Sequence, residues 1–84
     1  MFTELYPGEI YRNSLNNIHI IIYGVDTTKV NCFHMDEDWN KDNIENVRYD
    51  YDNFVNNISS AHFRMVGKLN KEKLAKIMLL GKYE

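Results

Sequence analysis

The stretch Ile18-His19-Ile20-Ile21-Ile22-Tyr23-Gly24-Val25 constrains this chain more than any other. Five of its eight residues are β-branched, which opposes a helix. Apolar side chains fall on both faces of the extended form, as in a strand covered from two sides; a strand with one wet face would be polar at every second position. The segment is therefore expected to be the central strand of a sheet. Its unbroken apolar run, Ile20 to Tyr23, is far shorter than the ~20 residues of a membrane span.

The neighbouring segments supply partners for that strand. Tyr6-Pro7-Gly8 signals a turn. Glu9-Ile10-Tyr11-Arg12 then alternates as a short strand, with Ile10 on one face and Glu9 and Tyr11 on the other. Asp26-Thr27-Thr28-Lys29 is a turn-forming connection into Val30-Asn31-Cys32-Phe33-His34-Met35, so a hairpin is expected with Val30 and Cys32 inward. Asp36 to Glu45 is a polar, acidic loop whose large apolar residues are Trp39 and Ile44. Val47 to Tyr51 alternates as a fourth strand, with Val47, Tyr49 and Tyr51 on one face. Phe54 and Ile58, four apart, fit one helical turn capped by Asp52 and ended by Ser59-Ser60. Ala61 to Val66 is a fifth strand with Phe63 and Met65 inward. Asn70 caps a last helix in which Leu74, Ile77 and Met78 share a face and Gly81 closes the C-terminus; this helix is expected to cover one open end of the sheet.

These elements describe a single, mainly β domain over residues 1–84. The expected architecture is a five-stranded bent antiparallel sheet or small open barrel, SH3-like or OB-like, with a one-turn helix before the last strand and a C-terminal helix. Six tyrosines, four phenylalanines and one tryptophan give an 84-residue chain enough buried area for a core without staples. The lone Cys32 excludes an internal disulfide and favours a reducing, cytoplasmic setting. The start Met1-Phe2-Thr3-Glu4-Leu5 lacks the basic residues of a signal peptide, and no membrane partner is expected.

Candidate chemistry is sparse. Asp36, Asp38, Asn40 and Asp42 alternate like the first half of a calcium loop, but the glycine position holds Lys41 and the bidentate-glutamate position holds Val47. Cys32, His34 and Asp36 lack the spacing that would complete a zinc site. Cys32 lies mid-strand on an apolar face, where cysteine acts as a small hydrophobe. No glycine-rich elbow exposes Ser14, Ser59 or Ser60, and no phosphate-binding glycine motif is present. His19 and His62 fit hydrogen-bonded positions on strands. Neither an enzyme, a metal nor a cofactor is expected.

Charge is more informative than the net value of −2. Asp36, Glu37, Asp38, Asp42, Glu45, Asp50 and Asp52 fall together against only Lys41 and Arg48. Arg64, Lys68, Lys71, Lys73, Lys76 and Lys82 follow against only Glu72. Trp39 and the Tyr49/Tyr51 pair lie inside the acidic stretch, and aromatics ringed by charge have the composition of a protein-binding hot spot. The partner-binding set is therefore Asp36, Glu37, Asp38, Trp39, Asp42, Glu45 and Asp50, facing a basic protein surface. The bland alternative is a solvated loop with Trp39 folded onto the core. A nucleic-acid-binding alternative would use Arg64, Lys68, Lys71, Lys73 and Lys76, although lysines on a solvated helix are ordinary and aromatics for base stacking are not interleaved with them.

Pro7-Gly8-Glu9-Ile10-Tyr11-Arg12-Asn13, the strand ending Tyr23-Gly24-Val25-Asp26, and Phe63-Arg64-Met65-Val66-Gly67-Lys68 together resemble small SH3-like proteins of phages and prophages of Gram-positive bacteria. The resemblance spans most of the chain and consists of strand patterns. It implies a binding protein on a mobile element, often one directed against a host machine, without naming a target. The preferred expectation is an inhibitor or adaptor that presents the acidic loop to a host nucleic-acid-handling protein, such as a CRISPR effector, in the bacterial cytoplasm.

Overall fold

In the computed structural model the described residues are 4–40 and 43–82. The doubly apolar segment forms strand β2 (His19–Val25), and Ile20, Ile21 and Ile22 are each 0% exposed. It is flanked by β1 (Glu9–Asn13) and β3 (Lys29–Met35), and outside these lie β5 (Phe63–Lys68) and β4 (Glu45–Asp50). The sheet is antiparallel throughout, in the order β4-β3-β2-β1-β5, and does not close. Helix α1 (Tyr51–Ser59) precedes β5 and helix α2 (Lys71–Lys82) follows it.

Both faces of β2 are buried because each face of the sheet has its own apolar layer. Leu5, Tyr11, Ile20, Ile22, Val30, Cys32 and Phe63 meet Phe54 of α1 on the concave side. On the other side Ile10, Ile21, Phe33, Met35 and Ile44 are covered by Leu69 and by Leu74, Ile77 and Met78 of α2. The last helix therefore covers a sheet face rather than an open end, since one face of β2 would otherwise lie in water. Asn70 caps it as expected, its Oδ1 accepting the Lys73 N–H at 2.8 Å. The helix continues through Gly81 to Lys82 instead of closing at the glycine.

The sheet is strongly curled. Its outermost strands would stand about 19 Å apart if it were flat, yet the rings of Tyr49 on β4 and Phe63 on β5 are 5.7 Å apart. Phe54 packs against both, at 5.4 and 5.1 Å, and against Tyr11 at 5.3 Å. Two register shifts bend the ladder: β2 spends Tyr23 between the pairs Ile22–Cys32 and Gly24–Asn31, and β5 spends Val66 between Gly67–Ile10 and Met65–Tyr11.

Several local expectations are corrected. Tyr51 opens α1 rather than ending β4, while still packing on the concave core. The helix is nine residues long, more than the one turn expected. Asp50, with extended backbone, holds the N-cap position without a side-chain cap bond, and Asp52 lies in the first turn. The Tyr51 N–H donates to Thr28 O at 2.9 Å and ties the helix start to the β2–β3 turn. Met65 shares the phase of Phe63 but is 50% exposed, because α1 covers the Phe63 end of this edge strand and Met65 lies further along it. Val47, opposite Cys32, is only half-buried. His62 falls in the turn before β5 and is exposed. At Gly8, with φ 96°, a Cβ would stand 2.7 Å from Leu69 O, so the turn before β1 needs glycine.

Candidate protein-interaction site

The loop between β3 and β4 is organised by Asp36. Its Oδ1 accepts the backbone N–H groups of Asp38 and Asn40 at 3.1 and 2.9 Å, and its Oδ2 accepts Asn43 Nδ2 at 3.0 Å. These bonds favour the charged form, the Asn40 N–H most, and hold the carboxyl below its usual pKa. The backbone carbonyl of Asp36 accepts the Trp39 N–H at 3.1 Å. It also lies 3.1 Å from His19 Nδ1. A carbonyl can only accept, so Nδ1 of this imidazole carries the proton.

Trp39 is thereby placed over His19. The rings are 3.7 Å apart and within 16° of parallel. His19, on the central strand, is nearly fully buried and forms a firm base, while Trp39 remains 42% exposed. The Trp39 backbone has φ 58°, a left-handed conformation unfavourable for a large side chain. The Asp36 bond and the imidazole stack offset that cost. The indole is neither folded into the core nor loose.

Around it the acidic stretch divides. Glu37 and Asp38 form the exposed turn beside Trp39, and Glu45 is exposed at the start of β4, in register with His34. Asp36 is committed to the loop, and Asp42 lies outside the described residues. Asp50 is at the far end of β4, about 16 Å along a six-residue strand, where it pairs with Lys29. With Asp52 it belongs to the opposite rim, near the β2–β3 turn. Around Trp39 the expected seven-residue set thus contracts to Glu37 and Asp38, with Asp36 in a positioning role, while Glu45 stands opposite His34, one face over from His19. His19 was not in that set; its place on the face opposite Ile20 and Ile22 hid it among core positions.

Arg64, Lys68, Lys71, Lys73 and Lys76 are exposed but scattered. Arg64 and Lys68 stand at opposite ends of β5, Lys68 lies 5.6 Å from the centre of the Tyr6 ring, and Lys76 meets Glu72 one turn back at 4.0 Å. Lys71 and Lys73 sit in the first turn of α2, which has no aromatic residue among its lysines.

Other reactive types are occupied. Cys32 is fully buried, and burial pushes its thiol up to about 12. Ser60 Oγ lies 3.2 Å from His62 Nδ1, and Asn57 Oδ1 lies 3.4 Å from the same nitrogen. A nucleophile, base and orienter need both imidazole nitrogens, one for each partner, so this cluster is a helix-end hydrogen-bond group rather than a triad. Among the described residues, no three His, Cys, Asp or Glu side chains are grouped to hold a metal ion. Nor does any helix among them have the length and apolarity to cross a membrane.

No protein-family model matches the chain, and no curated protein and no solved structure matches it either.

Proposed function

We propose that this chain is a non-enzymatic protein-interaction module that presents Trp39, rimmed by Glu37 and Asp38, to a basic surface of another protein. One observation carries the reading: the indole is half-exposed yet held in place by a stack on His19 and a loop pinned by Asp36. An anchor already ordered before binding loses little conformational entropy on binding, and tryptophan is prominent among residues that dominate interface energetics. Rim carboxylates speed encounter with a positive surface. The narrower architecture we infer is an open SH3-like barrel, supported by the curl that joins Tyr49 to Phe63 and by the helix inserted before the last strand. The resemblance to phage and prophage proteins supports a narrower role as an inhibitor or adaptor of a host nucleic-acid-handling protein in the bacterial cytoplasm, a CRISPR effector being one such target.

The test is parallel affinity capture from a bacterial lysate with the native chain and Trp39→Ala, read by mass spectrometry. The reading expects a protein with a basic surface on the native chain that is depleted from the variant. Identical captured sets would remove Trp39 from the interface.

A further inference from the structure

A second site lies on β1 and β5. Arg12 and Arg64 are directly paired across these strands, and with Ser14, Asn17 and Val66 they line an open cleft of about 270 Å³. Two like charges directly opposite in a sheet are destabilising unless something neutralises them. Among the described residues neither guanidinium has a carboxylate within ion-pair distance: the ion pairs are Lys29–Asp50 and Lys76–Glu72. Arg12 donates through Nη2 to Asn17 Oδ1 at 2.8 Å, which fixes its direction and leaves its other donors available. Arg64 is exposed with no side-chain hydrogen bond to the described residues. The Ser14 backbone N–H donates to His62 O at 2.8 Å, and its hydroxyl lies 3.2 Å from the same carbonyl, so the cleft wall is tied to the turn before β5.

We propose that this cleft is a phosphate-binding site. Paired guanidiniums suit an oxyanion with several acceptor oxygens, because the planar forks donate two parallel hydrogen bonds and the combined charge offsets the repulsion between the arginines. The phosphate can be free or carried on a nucleic-acid strand; the chemistry at the cleft is the same. The cleft shares no lining residue with the Trp39 loop, although Arg12 stands opposite His19 in the β1–β2 register.

The experiment is titration of the isotope-labelled full chain with inorganic phosphate and, separately, with a single-stranded oligothymidylate, followed by NMR. Shifts of the Arg12 and Arg64 side-chain N–H signals and of the Ser14 and Asn17 amides are expected. Arg64→Gln should weaken binding on the order of tenfold, the scale of a hydrogen bond to a charged group. Arg12→Gln should do the same; as it also loses the Asn17 contact, Arg64→Gln is the decisive variant. A response to inorganic phosphate alone would assign the site to a free anion. A tighter, salt-sensitive response to the oligonucleotide, its salt dependence reduced in Arg64→Gln, would assign it to a strand. Absence of shifts at these four residues with both probes would overturn the proposal, as would undiminished binding in Arg64→Gln.

Discussion

The hydroxyl of Tyr49 on β4 lies 2.6 Å from Nε2 of His34 on β3. A neutral imidazole can accept the phenol's proton there; a protonated one cannot. Burial lowers the pKa of His34 below its ordinary 6.5, against an opposing pull from Glu45. The group is therefore charged more readily in the unfolded chain, and its contribution to stability is present above about pH 6.5 and lost as pH falls through the folded value. Urea unfolding between pH 7.5 and 5 should show falling stability in the native chain and a shallower fall in His34→Gln. Equal slopes would show that His34 does not titrate with folding.

Ile22 is fully buried between α1 and the sheet. Ile22→Ala should cost about 2 to 5 kcal/mol in equilibrium denaturation. A loss below ~1 kcal/mol would mean that the concave core collapses around the missing atoms.

Phe63 and Met65 share a strand and a phase but not an environment. Phe63→Ala should cost ~3 to 5 kcal/mol, and Met65→Ser should stay within about 0.5 kcal/mol, as for other exposed positions. Comparable losses from the two would place the edge of the core beyond Met65.

At the interaction site two variants should separate kinetically. Trp39→Ala should cost ~2 kcal/mol or more of partner affinity, chiefly through faster dissociation, while losing only about 0.5 to 1.5 kcal/mol of fold stability from the aromatic pair. Glu37→Lys with Asp38→Lys should slow association and reduce its salt dependence, leaving the melting temperature near native. Surface plasmon resonance on a captured partner distinguishes these effects.

Removing residues 70–84 should lower the melting temperature sharply, because Ile10, Ile21, Phe33 and Met35 would lose the cover of Leu74, Ile77 and Met78. An unchanged transition would make α2 an appendage.

Periodicity located the strands because the physics was local. Ile20 to Ile22 announce burial on both sides, Asn70 announces a cap, and Phe54 with Ile58 announces a helical face. The curl was harder to read, since it depends on Tyr23 and Val66 being spent at register shifts, which only pairing reveals. The site divides in the same way. Trp39 among acidic residues was visible as composition, whereas the inward use of Asp36 and the separation of Asp50 along β4 follow from hydrogen bonds and strand direction. Arg12 and Arg64 are 52 positions apart in the chain; only the β1–β5 register makes them neighbours.

The burial of Cys32 gives the molecule an internal clock. It is the sole thiol in the chain, lies at 0% exposure between β2 and β4, and is held as the unreactive thiol. An alkylating reagent can reach it only when the concave layer opens, so labelling measures opening events and not surface chemistry. With fast reagent the rate becomes the opening rate itself, and with slow reagent it becomes the population of the open form. A ligand that holds the closed sheet should slow the clock wherever on the surface it binds.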